Sequence, residues 1–332
     1  MQETAELIRS SRFRAEREAD WRRLEALVAR AERGGVHGMD FADARDLAEL
    51  YRQAATSLAV AREISLDRAL LDYLEALTAR AYLSVYAPQE RIGGLFRRFL
   101  AVSAPAAMRR AWPFLLAGFL TMTLGALAGW ALYGEDPSWY SVFVPTGLAD
   151  GRGPGSSAAE LRAALHAPGE GGGLAAFATY LFSHNTRIAI FVFGLGVFAC
   201  APALALTFYN GLVLGAFVAL HVDRGLGWDV FGWLSVHGVT ELSAICIACA
   251  GGLQLGAAVL FPGARSRAEA LRLAGRDAAK LALGAALMLV VAALLEGFAR
   301  QLVQDLGLRL AVGWGAGALW LAWILAAGRR AA

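Results

Sequence analysis

The chain has 332 residues, of which 57% are hydrophobic before its 37 glycines are counted. Counting glycine in place of tyrosine raises the apolar share to about 66%, against roughly 45–50% for a soluble domain, which excludes an ordinary cytosolic enzyme. The net charge is +3, with no basic cluster beyond short Arg pairs, so nucleic acid is excluded as a partner.

The charges are unevenly placed: residues 1–111 hold 18 of the 31 Lys+Arg and 16 of the 28 Asp+Glu. A water-soluble first third therefore precedes a membrane-embedded remainder. From Arg9 to Arg33, the residues Phe13, Trp21, Leu24, Leu27 or Val28 and Ala31 recur at helical spacing, and Gly34-Gly35 ends the run. A second helix, from Met39 to Glu63, places Phe41, Ala44, Leu47, Tyr51, Ala54 or Ala55 and Leu58 on one stripe, with Asp40 as its N-cap. Ser65 opens a third, in which Ala69, Leu70, Tyr73, Leu77 and Ala81 share a face until Pro88. Residues 1–87 are thus expected to form a three-helix domain, kept in the cytoplasm because the charged N-terminus carries no secretory signal. Residues 88–111 alternate Arg97-Arg98 and Arg109-Arg110 with Phe96, Phe99 and Leu100. They read either as an interfacial amphipathic connector meeting anionic lipid or as a helix packed under the soluble bundle.

Apolar segments follow at 112–133, 188–221, 231–261, 281–298 and 312–327. A span needs roughly 20 residues, so the second is one long helix or two short ones turning near Cys200-Ala201-Pro202. The positive-inside rule chooses two. Only then do Arg265, Arg267, Arg272, Arg276, Lys280 and the pair Arg329-Arg330 fall on the side of the N-terminal domain. The expected fold is all-α and polytopic, with transmembrane domain 112–332 and spans near 112–133, 188–201, 203–221, 231–261, 281–298 and 312–328. Both termini are expected in the cytoplasm of a bacterium, with the chain in its inner membrane. In the inner loop, Ser266-Arg267-Ala268-Glu269 is a capping box opening a short basic helix, expected along the inner leaflet. In the outer loop 134–183, Leu174 to Phe182 is apolar enough to re-enter the membrane or lie on its surface.

Polar residues at membrane depth are Asn185, Asn210, His237, Glu241, Gln254 and Glu296. An ionisable group there costs roughly 3 kcal/mol, so it faces a partner or a watery cavity. His237 and Glu241 are four apart and share a helix face. Three readings compete for them: a structural pair, a proton or ion relay, and two ligands of a catalytic metal. The zincin pattern His-Glu-x-x-His is absent and no convergent trio is evident, so no metal or cofactor is expected. Gly194, Gly196, Gly211, Gly215, Gly251, Gly252 and Gly256 stand at spacings for close helix packing, and the small-x3-small faces motivate a homodimer. Cys200, Cys246 and Cys249 lie inside apolar runs and read as small packing residues.

In order along the chain come Asn185-Thr186-Arg187-Ile188, Gly194-x-Gly196, Tyr209-Asn210-Gly211-x3-Gly215, His237-Gly238-x2-Glu241-Leu242-x-Ala244 and Gly251-Gly252-x3-Gly256. This set resembles the stage II sporulation protein M family, the DUF95 integral membrane proteins, over roughly residues 10–300. Trp21-Arg22-Arg23-Leu24, Tyr51-Arg52 and Leu83-x2-Tyr86 in the first third also agree, while His184-Asn185 stands where the family has an Asn-Asn pair. The resemblance implies a six-span inner-membrane protein with a cytoplasmic helical domain, working in an envelope-associated complex. Sporulation itself is not carried over, since one Lys against 30 Arg suggests a high-GC genome. The expected function is a non-enzymatic scaffold, transport or channel component whose cytoplasmic helices bind a protein partner. The alternative is an intramembrane metal-dependent hydrolase using His237 and Glu241.

Overall fold

The computed structural model describes residues 2–64, 68–86, 92–149, 151–166, 173–299 and 302–329, and every element among them is a helix. The chain divides into two compact units, Met1–Leu95 and Phe96–Ala332. Ser65, Pro88 and Arg330 lie outside the described residues.

The first unit contains α1 (Gln2–Gly34), α2 (Phe41–Ile64) and α3 (Arg68–Tyr86). Its core takes Phe13, Trp21, Leu24, Leu27, Val28 and Ala31 from α1, Leu47, Leu50, Ala54 and Ala61 from α2, and Leu70, Leu74, Leu77 and Ala81 from α3. Asp40 caps α2, its carboxylate accepting from the backbone N–H of Asp43 at 2.7 Å. The stripe of α2 is rotated from the expected one. Its buried line is Leu47, Leu50, Ala54, Ser57 and Ala61, at alternating steps of three and four, and Phe41 at the helix start is 85% exposed. Cross-helix ion pairs frame the core: Arg30 with Asp43 at 2.5 Å, Arg62 with Glu75 at 2.8 Å, and Arg80 bidentate on Glu32 at 2.8 and 2.9 Å.

The short helix α4 (Ile92–Arg98) leads through a π-turn (Phe99–Ser103) into α5 (Ala104–Arg110). In α5, Ala104, Ala107 and Met108 are fully buried, so this half of the Arg-rich segment belongs to the membrane unit. Arg109 donates to the carbonyls of Ile324 and Ala327 at 2.6 and 2.8 Å, and Arg110 is bidentate on Asp277.

Six long helices make up the rest: α6 (Trp112–Glu135), α10 (Gly173–Leu195), α11 (Ala201–Asp223), α12 (Gly227–Leu260), α13 (Arg267–Leu294) and α14 (Leu306–Ala326). Among the described residues, α6, α11, α12, α13 and α14 are long and apolar enough to cross a membrane. α10, which carries His184-Asn185-Thr186-Arg187, packs in the same bundle against α11, α12 and α13. The chain reverses between α10 and α11 at Ala199 and Cys200, both at positive φ, with Pro202 in the first turn of α11, where no N–H is needed. α10 starts at Gly173, so Leu174 to Phe182 belongs to a continuous helix rather than a separate re-entrant piece.

Backbone contacts fix the helix directions. A methyl group added at Gly125 or Gly129 of α6 would overlap the carbonyls of Phe208 and Leu212, and one at Gly211 or Gly215 of α11 those of Met122 and Ala126. Low numbers meet low and high meet high, so α6 and α11 run parallel. Gly196 against Gly252, and Gly313 against Ser235, likewise set α10 and α14 parallel to α12. Gly194 meets nothing within 4 Å and makes no close helix approach, because it points away from the face that carries Ala189, Val192 and Gly196.

After α12, Ser266 accepts from the N–H of Glu269 and caps α13, which then runs unbroken from Arg267 to Leu294. The expected basic surface helix is therefore the first turns of this span: nothing between Arg276 and Leu281 breaks a helix, and Arg110 holds its Asp277. At the opposite end of the bundle, the loop between α6 and α10 folds into α7 (Trp139–Phe143), α8 (Thr146–Ala149) and α9 (Ala158–His166). Tyr140, Phe143, Val144 and Leu161 form one core with Tyr133, Ala216, Ala219, Leu220 and Leu226 at the helix ends. Tyr209 donates to the carbonyl of Phe143 at 2.8 Å, Arg224 donates to that of Pro154, and Arg162 and His166 both meet Asp229.

Candidate functional site

α12 is the axis of the membrane unit and touches α6, α10, α11, α13 and α14. Such burial demands small side chains, and Gly232, Ser235, Gly238, Ala244, Cys246, Ala248, Cys249, Ala250, Gly251, Gly252 and Gly256 supply them. The three cysteines are free thiols: Cys246 and Cys249 are fully buried in this packing, and Cys200 donates to the carbonyl of Leu253 at 3.4 Å.

His237 stands about ten residues into α12, or roughly 15 Å from its start at 1.5 Å per residue. It is 4% exposed. One turn on, Glu241 shares its face and is partly buried. A third group reaches them from α13. That helix ends in a π-turn, Leu295–Ala299, whose wider step resets the side-chain register at Glu296. Glu296 is 2% exposed, and its Oε1 lies 3.8 Å from His237 Nε2. One ligand-type atom each from His237, Glu241 and Glu296 lies within 4.8 Å of the other two. The convergent trio that spacing alone did not show is therefore present, split between two antiparallel helices.

The surroundings are aromatic and tightly held. The Trp233 ring meets His237 edge-on at 5.2 Å, and beyond it Phe217 lies 5.8 Å from Trp233 and 4.4 Å from His221. Thr240, fully buried, accepts from the Trp320 indole at 3.3 Å. Asn185 is 8% exposed on α10, and the register that sets Gly196 against Gly252 brings it level with Glu241. Asn210 lies on α11 and spends an amide N–H on the carbonyl of Leu206 at 2.8 Å. Gln254 is one of the buried groups whose side-chain oxygen has no hydrogen-bond partner.

Two buried ionisable residues escaped the sequence reading. His221 is fully buried at the end of α11, its Nδ1 2.8 Å from the carbonyl of Phe217. Arg309 is 2% exposed at the start of α14 and donates to the Val303 carbonyl and to Gln304. Both stand at the ends of apolar runs, where a polar residue reads as the boundary of a span. Their signal was one of position only.

Residues 114–299, more than half of the chain and including all six polar positions named above from Asn185 to Glu296, match the stage II sporulation protein M family. The chain belongs to the stage II sporulation protein M family. Residues 11–87 match a separate domain of unknown function, DUF8413, so the match to stage II sporulation protein M is confined to the membrane unit. No curated protein and no solved structure matches the chain. Within this stage II sporulation protein M domain the ordered motifs fall on α10, α11 and α12, and all but Gly194 of their glycines sit at close backbone or side-chain contacts.

Proposed function

We propose that this protein is a non-enzymatic, cation-handling component of the bacterial inner membrane, built into an envelope-associated complex through its N-terminal helices. The observation that carries the reading is the convergence of His237, Glu241 and Glu296 inside the helical bundle. Removing three ionisable groups from water is costly unless each finds a counter-charge. Two carboxylates and an imidazole around one point form an acceptor site for a cation, and the chain has no other such group among its described residues.

The topology that goes with it has six spans and both termini in the cytoplasm. It is supported by the alternation of helix directions, with α6 and α11 parallel to each other and α10, α12 and α14 parallel to each other. It is supported also by five cations between Arg265 and Lys280, which the positive-inside rule holds on the inner side. The separate core of the first unit suits a module that docks a protein partner, in a second copy of the chain or in another member of the complex.

Proteoliposomes holding the purified chain and a pH-sensitive dye test the reading under an imposed potential. Wild type is expected to move protons, alone or in exchange for a metal cation, and Glu241→Gln and Glu296→Gln to abolish the flux while keeping the thermal midpoint of the metal-free protein. Equal leakage from wild-type, variant and empty vesicles would leave the scaffold reading in its place.

A further inference from the structure

We propose that His237, Glu241 and Glu296 bind one first-row divalent metal ion, with zinc as the probe ion; this rests on the cation-handling reading for its purpose, though not for its geometry. The trio offers one imidazole nitrogen and two carboxylate oxygens. Three protein ligands that leave a position open are the composition of exchangeable or reactive metal sites, and the mixture of nitrogen and oxygen suits zinc, manganese or iron better than calcium or magnesium.

Charge argues the same way. Two carboxylates held together in a buried site repel each other unless something positive lies between them. A divalent ion between the two carboxylates attracts both, and it takes the neutral imidazole as a ligand besides. Bonds of about 2.0–2.2 Å at tetrahedral angles hold ligand atoms about 3.3–3.6 Å apart. The three atoms lie within 4.8 Å of one another, so side-chain rotations that draw the ligand atoms in by about 1 Å close the site. His237 and Glu296 already stand at 3.8 Å.

The local backbone serves the same end. An i, i+4 pair on α12 fixes two ligands, and the π-turn at Leu295–Ala299 supplies the third from the facing helix. Trp233, edge-on to the imidazole, restricts its rotation.

The test uses the full chain, purified without a polyhistidine tag, stripped with chelator and titrated with zinc by calorimetry, with elemental analysis of the washed protein. One ion per chain is expected, together with a rise in the thermal midpoint that EDTA reverses. Glu296→Gln and His237→Gln should each weaken binding by at least the 10–100-fold that follows loss of an outer-shell partner. Should Glu296→Gln fail to fold, Glu241→Gln gives the same reading. His166→Gln, at the separate pair with Asp229, should leave binding unchanged. Cobalt in place of zinc should give a visible absorption band that is lost with His237→Gln. Absence of binding, full binding in the folded Glu296 and His237 variants, or loss of binding in His166→Gln would each overturn the proposal. Binding without vesicle flux would keep the metal site and reject the cation-moving reading, and flux without binding would do the reverse.

Discussion

Gly215 in α11 lies so close to the carbonyl of Ala126 in α6 that a single methyl group would overlap the backbone. Gly211, Gly125 and Gly129 continue the seam, so neither helix can yield without moving the other. Gly215→Ala is expected to destabilise the protein by more than the usual 1–3 kcal/mol of an overpacked core, since backbone rather than a side chain must give way. Gly194→Ala, with open space around it, should be neutral or stabilising by up to about 1 kcal/mol through helix propensity. Thermal unfolding of both variants in mild detergent checks the pair, and equal midpoints would contradict it.

Trp21 is 2% exposed at the centre of the first unit, with Phe13 at 5.8 Å and Tyr73 at 6.5 Å. Trp21→Ala should cost roughly 3–5 kcal/mol, which is most of the stability of so small a core. Residues 1–87, expressed alone, are expected to be helical by far-UV circular dichroism, and this substitution should abolish the cooperative melt. A random-coil spectrum of the unaltered fragment would remove the expectation.

The Arg80 guanidinium on Glu32 holds that carboxyl below the ordinary glutamate value. A lowered carboxylate pKa gives stability that is present above the unfolded value and is lost as pH falls through the folded one. Both side chains are more than a third exposed, so the contribution stays under about 1 kcal/mol. Arg80→Gln should accordingly cost a few tenths of a kcal/mol at neutral pH and nothing near pH 3, measured by urea unfolding of the fragment at the two pH values.

Ser156→Cys and Ala268→Cys place single reporters in the outer loop and at the start of α13. A membrane-impermeant thiol reagent added to intact cells should label the first and spare the second until the membrane is opened. Labelling of both from one side would refute the six-span topology.

Much of the fold is legible because its signals are local. The apolar face of α1, the reversal at Pro202 and the glycine pairs of α11 and α12 all lie within one or two helical turns. The family likewise showed in the ordered motifs from Asn185 to Gly256, inside the matched 114–299. The rest depends on long-range packing. Glu296 joins His237 only because α12 and α13 run antiparallel and a π-turn shifts the register, and neither fact leaves a periodic trace. Phe41 looked like core because a stripe extrapolated to the first turn of α2 ignores that nothing packs there. Nor does spacing show how loop 134–183 packs, since Tyr140 and Leu161 bury against residues some fifty-five to eighty-six positions later in the chain.

Arg109 stands just before the first span, and both carbonyls that receive it belong to the last residues of the final one. During synthesis this guanidinium must wait for these carbonyls until the ribosome has delivered Ile324 and Ala327. The membrane bundle therefore has a seam that closes last. A chain ending before Ile324 would have every earlier helix and still lack the clasp, so cellular quality control should recognise it as unfinished.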